Sequence, residues 1–320
     1  MAVSHVAVTG AHGFVGRELV RALQTRGHDV TAIVRHSANA GAINGVREFV
    51  MGSAGVSSWP IDLKPETVIH LAARVHVMNE SAPDSLGAFR AANVAGALQV
   101  AEAAYRAGAR RLVFVSSIKA LAEADHGRPL REDDLPSPQD SYGVSKLEAE
   151  RALIHFGKET GFEVVIVRPP LVYGPEVRAN FLHLMKALAR GIPLPLGAIA
   201  ARRSLVYNGN LADALVLCAT DPRAAGECFH ITDGTDLTVS ELAKALGHHL
   251  RSNVWLAPVP AKWLWAAGKL TGRSQQVERL IGNLRVDSSR IRDVLQWQPP
   301  FSVDEGLVVT AEWFRSVYRG

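Results

Sequence analysis

The stretch Val6-Ala7-Val8-Thr9-Gly10-Ala11-His12-Gly13-Phe14-Val15-Gly16 constrains this chain more than any other. A run of β-formers meets glycines at i, i+3 and i+6, and an amphipathic pattern begins at once. It reads as a strand, a tight turn and a helix N-terminus. Such a terminus presents unpaired backbone N–H groups and the positive end of the helix dipole. The favoured guest is a phosphate or the pyrophosphate of a dinucleotide. Gly10 permits the turn, Gly13 lets the backbone approach the phosphates, and Gly16 lets the helix pack closely on the strand. The G-x-x-G-x-x-G spacing is one residue longer than the usual dinucleotide fingerprint, and glycine also marks ordinary turns, so the loop needs support from the rest of the chain.

That support begins with the rhythm of the first ~170 residues, which alternate strand and helix as a parallel sheet requires. Helix is predicted over Phe14 to Arg26, Leu86 to Ala107 and Tyr142 to Glu159. Strand is predicted over Asp29 to Val34, Val46 to Val50, Thr67 to Leu71, Leu112 to Val115 and Val164 to Val167. Right-handed crossovers put helices on both faces and strand C-terminal ends along one edge, where ligands bind. After Arg168-Pro169-Pro170 the rhythm breaks. Helices are predicted over Phe181 to Arg190, Asn210 to Ala219, Ser240 to Leu250 and Ser288 to Leu295, and Glu227 to Ile231 reads as a strand returning to the sheet. The expected division is a sheet domain over 1–172, rejoined by 207–232, and a smaller lobe over 173–206 and 233–320 closing on the ligand edge.

A net charge of +4 with no basic block argues against a nucleic-acid partner. Cys218 and Cys228 lack metal or redox spacing and read as reduced, buried thiols. The glycine loop starts by residue 10, leaving no room for a signal peptide, and no apolar run approaches the ~20 residues of a membrane span. A cytoplasmic protein is expected. The longest candidate, Trp255 to Leu270, is interrupted by Pro258, Pro260, Lys262 and Lys269. Its tryptophans could rest on a membrane surface, but packing within the small lobe is the favoured reading.

Chemistry is carried by two further pieces. The strand Leu112 to Val115 ends in Ser116-Ser117, which places both hydroxyls at the ligand edge. If Tyr142 opens a helix, Lys146 lies one turn later on the same face. A nearby ammonium lowers a phenol's pKa and a hydroxyl such as Ser117 steadies the phenolate. A tyrosine so tuned exchanges a proton with an alcohol or carbonyl, while a nicotinamide beside it exchanges the hydride.

With these residues in place the sequence resembles the extended short-chain dehydrogenases/reductases, a family acting largely on nucleotide sugars. The resemblance covers nearly the whole chain. It rests on Thr9 to Gly16, His70-Leu71-Ala72-Ala73, Asn93-Val94-Ala95-Gly96, Ser116-Ser117, Tyr142 to Lys146, and Arg168-Pro169-Pro170-Leu171-Val172-Tyr173-Gly174-Pro175. The resemblance implies an α/β, Rossmann-type doubly wound parallel sheet with a smaller mixed C-terminal substrate lobe. It implies Ser117, Tyr142 and Lys146 as the catalytic set. The cofactor would lie against Gly10, Gly13, Phe14, Val15, Gly16, Leu71, Ala72, Ala73, Asn93, Ser116, Tyr142, Lys146 and Pro169. A UDP-sugar would meet Ser117, Asn180, Arg203 and Arg279, the arginines pairing with its diphosphate, with Arg74 and His76 facing the sugar. No metal is implied. The two long alanine-rich helices would form the four-helix interface of a homodimer.

Departures from the family pattern narrow the activity. Sugar dehydratases of the family carry Asp-Glu directly after the catalytic hydroxyl, where this chain has Ile118-Lys119, so dehydration is not expected. At the end of the second strand stands Val34-Arg35-His36-Ser37 in place of the acidic residue of NAD users. Arg35 suits a 2′-phosphate and favours NADP(H), although an arginine also stacks on adenine, which leaves NAD(H) open. The details resemble a bacterial branch making surface-polysaccharide (O-antigen) sugars and labelled as UDP-hexose 4-epimerases or UDP-4-keto-6-deoxy-HexNAc 4-reductases. Arg35 tilts the expectation to the 4-reductase, with a UDP-glucose or UDP-GlcNAc 4-epimerase carrying its own NAD as the alternative. A non-catalytic NAD(P)-sensing protein is a distant third, since both Tyr142 and Lys146 are retained.

Overall fold

The computed structural model describes residues 4–34, 43, 45–50, 59, 60, 62–75, 85–272 and 274–318. Strand β1 (His5–Thr9) passes through the glycine turn into helix α1 (Phe14–Thr25), followed by β2 (Asp29–Val34), β3 (Arg47–Val50) and β4 (Thr67–His70). Next come α2 (Ser85–Arg90), α3 (Gly96–Arg106), β5 (Arg111–Val115), α4 (Ser141–Thr160) and β6 (Glu163–Arg168). With β10 (Cys228–His230) these strands make a seven-stranded sheet in the order β10-β6-β5-β4-β1-β2-β3, every pairing parallel. Its central strands β4 and β5 are buried on both faces, as a parallel sheet demands, while the edge strand β3 is at most half-buried. The strand period of two sends Val6, Val8, Val113 and Val115 to one face and Ala7, Leu112 and Phe114 to the other. Helix α1 and helix α6 (Asn208–Thr220) cover the first face; α3 and α4 cover the second.

A separate core forms from helix α5 (Ala179–Ala189), helix α7 (Val239–His249) and helix α11 (Val303–Tyr318), through Phe181, Met185, Leu242, Leu246, Leu307 and Phe314. Two small sheets flank it. Strand β7 (Leu171–Tyr173) runs parallel to β9 (Leu205–Tyr207), and β8 (Arg202–Arg203) runs antiparallel to β11 (Leu237–Thr238). Buried Asp233 ties these parts together, accepting from the Tyr173 hydroxyl (2.8 Å), the Tyr207 amide (2.8 Å) and Asn210 Nδ2 (2.7 Å). Three such bonds satisfy a carboxylate that would otherwise be costly to bury.

The structure departs from the sequence reading in three places. The helix expected over Leu86 to Ala107 is interrupted by a π-turn at Ala91–Ala95, whose wider winding directs Asn93 inward. Helix α10 (Ser289–Leu295), expected in the small lobe, instead packs Ile291 and Leu295 with Trp297 into the core under the sheet, where Trp297 Nε1 donates to Asp213 at 2.7 Å. The tryptophans of Trp255 to Leu270 are not packed away. Helix α8 (Ala261–Leu270) leaves Trp263 65% exposed, and Trp255 before it is 63% exposed. Cys218 is buried and Cys228 half-buried, both as free thiols. Among the described residues no helix is long and apolar enough to cross a membrane.

One buried ion pair anchors α4 to the sheet. Arg168, ending β6, makes a two-pronged contact with Glu150 of α4 at 2.9 and 2.6 Å, and both side chains are almost fully buried. Arg168→Met strands the Glu150 carboxylate without its partner and is expected to cost about 3–5 kcal/mol in chemical denaturation. Adding Glu150→Gln to that variant should recover most of the loss. Equal destabilisation in the single and double variants would show that packing, not charge, dominates there.

Candidate active site

The sheet reverses direction of growth between β1 and β4, so their C-terminal ends diverge and leave a crevice. Gly10 sits at its base with φ +72°, a conformation L-residues with side chains rarely adopt, and a Cβ there would lie 2.9 Å from the Ala72 amide nitrogen. Gly13 caps α1 in an extended conformation, and no side chain among the described residues makes a capping hydrogen bond to the helix N-terminus. Gly16 packs so closely that a Cβ would be driven into the Gly10 carbonyl oxygen. The turn therefore offers free backbone donors in a site no side chain fills.

A cleft of about 520 Å³ opens from this turn, within the size range of small-molecule sites, about 300–1,000 Å³. It is lined by Gly10, Gly13, Phe14, Val15 and Gly16, by Leu71, Ala72 and Ala73 after β4, by Ser116 and Ser117 after β5, and by Tyr142, Lys146 and Pro169. Ala11, His12, Ile33, Val34, Val75, Val115, Pro170, Val172 and Leu211 complete the wall, none of them expected there from the sequence. Leu211 comes from α6, some 200 residues after the glycine turn, and nothing local to it signals a cleft. The Ser116 hydroxyl is buried without a hydrogen-bond partner among the described residues, which suits a polar ligand. Glycine turn, uncovered helix terminus and orphaned hydroxyl together fit a dinucleotide.

Helix α4 carries the reactive groups. Asp140 caps it by accepting from the Gly143 amide at 2.7 Å, and Lys119 Nζ grips the same carboxylate at 2.6 Å. Gly143 allows the helix to rest directly on the Lys119 carbonyl, which fixes Tyr142 beside Ser117. One turn on, Lys146 is fully buried, donates to the Val115 carbonyl at 2.9 Å and lies 4.6 Å over the Phe114 ring. Burial lowers Lys146 to about 8, partly opposed by Glu150. The expected lowering of the phenol's pKa does not occur in the chain by itself. Burial, against the pull of the Ser117 hydrogen bond and with a smaller push from Asp140, leaves Tyr142 raised to about 12.

The remaining site candidates fall elsewhere. Asn93 does not line the cleft; its amide brackets the Arg74 backbone at 2.8 and 3.1 Å and donates to Ser145 at 3.0 Å, joining the β4 end to α4. Arg74 lies over the Phe89 ring at 5.7 Å and is not a cleft wall. Asn180 is exposed at the start of α5. Arg279, expected to hold a diphosphate, is already engaged: its guanidinium makes a two-pronged contact with Glu123 at 2.6 and 3.0 Å and lies 3.6 Å from Asp140. The Arg203 guanidinium has no hydrogen-bond or ion-pair partner among the described residues, and burial pushes its pKa down. Arg35 and His76 lie outside the described residues. No cluster able to hold a metal ion occurs among the described residues.

A Rossmann-type sheet with this cleft defines a dinucleotide-dependent oxidoreductase scaffold, and comparison with known proteins agrees. The chain belongs to the NAD dependent epimerase/dehydratase family, which it matches over residues 6–231. It is 40% identical over 314 residues to a UDP-glucose 4-epimerase of Vibrio cholerae, covering 97% of this chain and 95% of that one. Among solved structures it resembles MoeE5 in complex with UDP-glucose and NAD (28% identity, TM-score 0.74, 98% and 99% of the two chains). It also shares its fold with the UDP-glucose 4-epimerase of Thermotoga maritima with UDP-glucose (23% identity, TM-score 0.76, 98% and 99%). The chain is an enzyme of the extended short-chain dehydrogenase/reductase type.

Gly16→Ala forces the turn open against the Gly10 carbonyl. Overpacking of this kind costs about 1–3 kcal/mol, and the expected outcome is dinucleotide affinity weakened about tenfold, read by calorimetric titration of NAD. Unchanged affinity would show that the turn relaxes without disturbing the site.

Proposed function

We propose that this protein is an NAD-dependent UDP-sugar 4-epimerase. The observation that carries the reading is the 40% identity, end to end, with the Vibrio cholerae UDP-glucose 4-epimerase. The cleft chemistry suits it. NAD held in the cleft would supply the hydride acceptor and donor for the sugar C4. Tyr142 accepts the C4 hydroxyl proton as the 4-ketone forms and gives it back as the hydroxyl re-forms on the other face. Ser117 donates to the C4 oxygen and holds it within reach of the phenol. Lys146, held under the site by the Val115 carbonyl, supplies positive charge that favours the phenolate. Arg203, its guanidinium unpartnered among the described residues, is suited to the UDP diphosphate.

The 4-reductase expectation rested on Arg35, outside the described residues, whereas NAD accompanies UDP-glucose in the MoeE5 structure. NAD is therefore the cofactor proposed over NADP. The exposed Tyr105 on α3 and Ile154 on α4 support a homodimer built on those helices.

The test is incubation of purified enzyme with UDP-glucose and, separately, UDP-GlcNAc without added cofactor, followed by NMR. The C4 epimer should appear. Failure of both, with NADPH consumed on a UDP-4-keto-6-deoxy sugar, would replace the epimerase by the reductase. Tyr142→Phe is expected to lower kcat by about 10²–10⁴-fold. Because the phenol works ionised, wild-type kcat/KM should fall as the pH drops. Arg203→Ala is expected to raise KM by about ten- to a hundredfold, the worth of a hydrogen bond to a charged group, with a smaller change in kcat.

A further inference from the structure

Helix α8 has no part in the cleft, and its side chains sort into three stripes. Leu264 packs into the lobe core and Gly268 is buried beneath the helix. Trp263, Ala266, Ala267 and Leu270, at i, i+3, i+4 and i+7, share a solvent face on which Trp263 is 65% and Leu270 89% exposed. Lys262 and Lys269, two turns apart, form an exposed basic stripe beside it. Lys269 Nζ lies 3.8 Å over the Trp265 ring, and neither lysine has an ion-pair partner among the described residues. Single exposed apolar residues are ordinary, but a continuous exposed stripe marks a surface that meets something.

The charge of the segment that carries the stripe indicates what it meets. Along the sequence from Leu242 to Val277 there is no acidic residue, while Lys244, Arg251, Lys262 and Lys269 are all exposed. A second copy docked on this face would bring like charges together. An anionic bilayer offers the opposite: phosphates for the lysines and an interfacial layer in which tryptophan is preferred. The helix is too short to span, and it matches the form of a helix lying in the headgroup plane. We propose that α8, with the exposed Trp255 before it, is a peripheral docking surface for an anionic phospholipid membrane, holding the enzyme at the bilayer face.

The experiment is co-sedimentation of the full-length protein with vesicles of phosphatidylcholine containing phosphatidylglycerol, and with vesicles of phosphatidylcholine alone. Binding is expected to the first, weaker at high salt, with little to the second. Each lysine near an anionic surface is worth about fivefold in binding, so Lys262→Gln with Lys269→Gln should weaken it about 25-fold. Trp263→Ser with Leu270→Ser should abolish it. These side chains are exposed, so circular dichroism and epimerisation rate should match wild type and exclude misfolding. No binding to phosphatidylglycerol vesicles overturns the proposal, as does equal binding to both vesicle types. A dimer in light scattering that Trp263→Ser dissociates, without vesicle binding, would assign the stripe to self-association.

Discussion

The structure depends on a crevice that the backbone alone creates. Strand β1 pairs with β2 on one side and β4 on the other, and the chain leaves the two neighbouring ends, Thr9 and His70, in different directions. The Thr9 hydroxyl and His70 Nδ1 meet at 2.7 Å at this branch point, and Gly10 passes the Ala72 amide with no room for a side chain. Every later element is placed relative to that gap. Helix α1 aims its N-terminus into it, β5 ends beside it with two serines, and α4 crosses above it.

The second constraint is how firmly α4 is held. Along its length it is fixed to the loop after Ser117 by Asp140 and Lys119, to the π-turn by Ser145 and Asn93, to β5 by Lys146 and Val115, and to β6 by Glu150 and Arg168. Lys119 and Arg279 also meet at Glu123 and Asp140, which links the C-terminal part of the chain to the cap of the helix bearing Tyr142. A phenol buried enough to stand near 12 cannot find its partners by diffusion of its own side chain. Its position must be built in, and these fixings are what builds it. The same position that would hold an acidic group in a dehydratase is spent here on a structural lysine.

Much of the sheet was legible because its signals are local. The run Asp29 to Val34 coincides with β2, and Tyr142 to Glu159 lies within α4 to a residue at each end. Less was legible after Pro170. Strands β7 and β9 pair across a 30-residue excursion, and β8 and β11 are two residues each, too short to carry a period. Asn93, expected against the cofactor, instead brackets the Arg74 backbone and donates to Ser145, away from the cleft wall. Arg279 looked like a free cation because its partner, Glu123, lies 156 positions away.

What the sequence determined by itself follows from periodicity and steric freedom. Alternation made the strands, glycine spacing made the turn, and a four-residue step put Tyr142 and Lys146 on one helical face. These depend only on neighbours along the chain. Tertiary structure decided whatever depends on segments distant in sequence: that Leu211 walls the cleft, that Lys146 is spent on the Val115 carbonyl, that the Arg203 guanidinium finds no partner among the described residues while that of Arg279 does, and that Trp263 faces water. Burial and the identity of a polar group's partner are properties of the packed chain, and no local pattern encodes them.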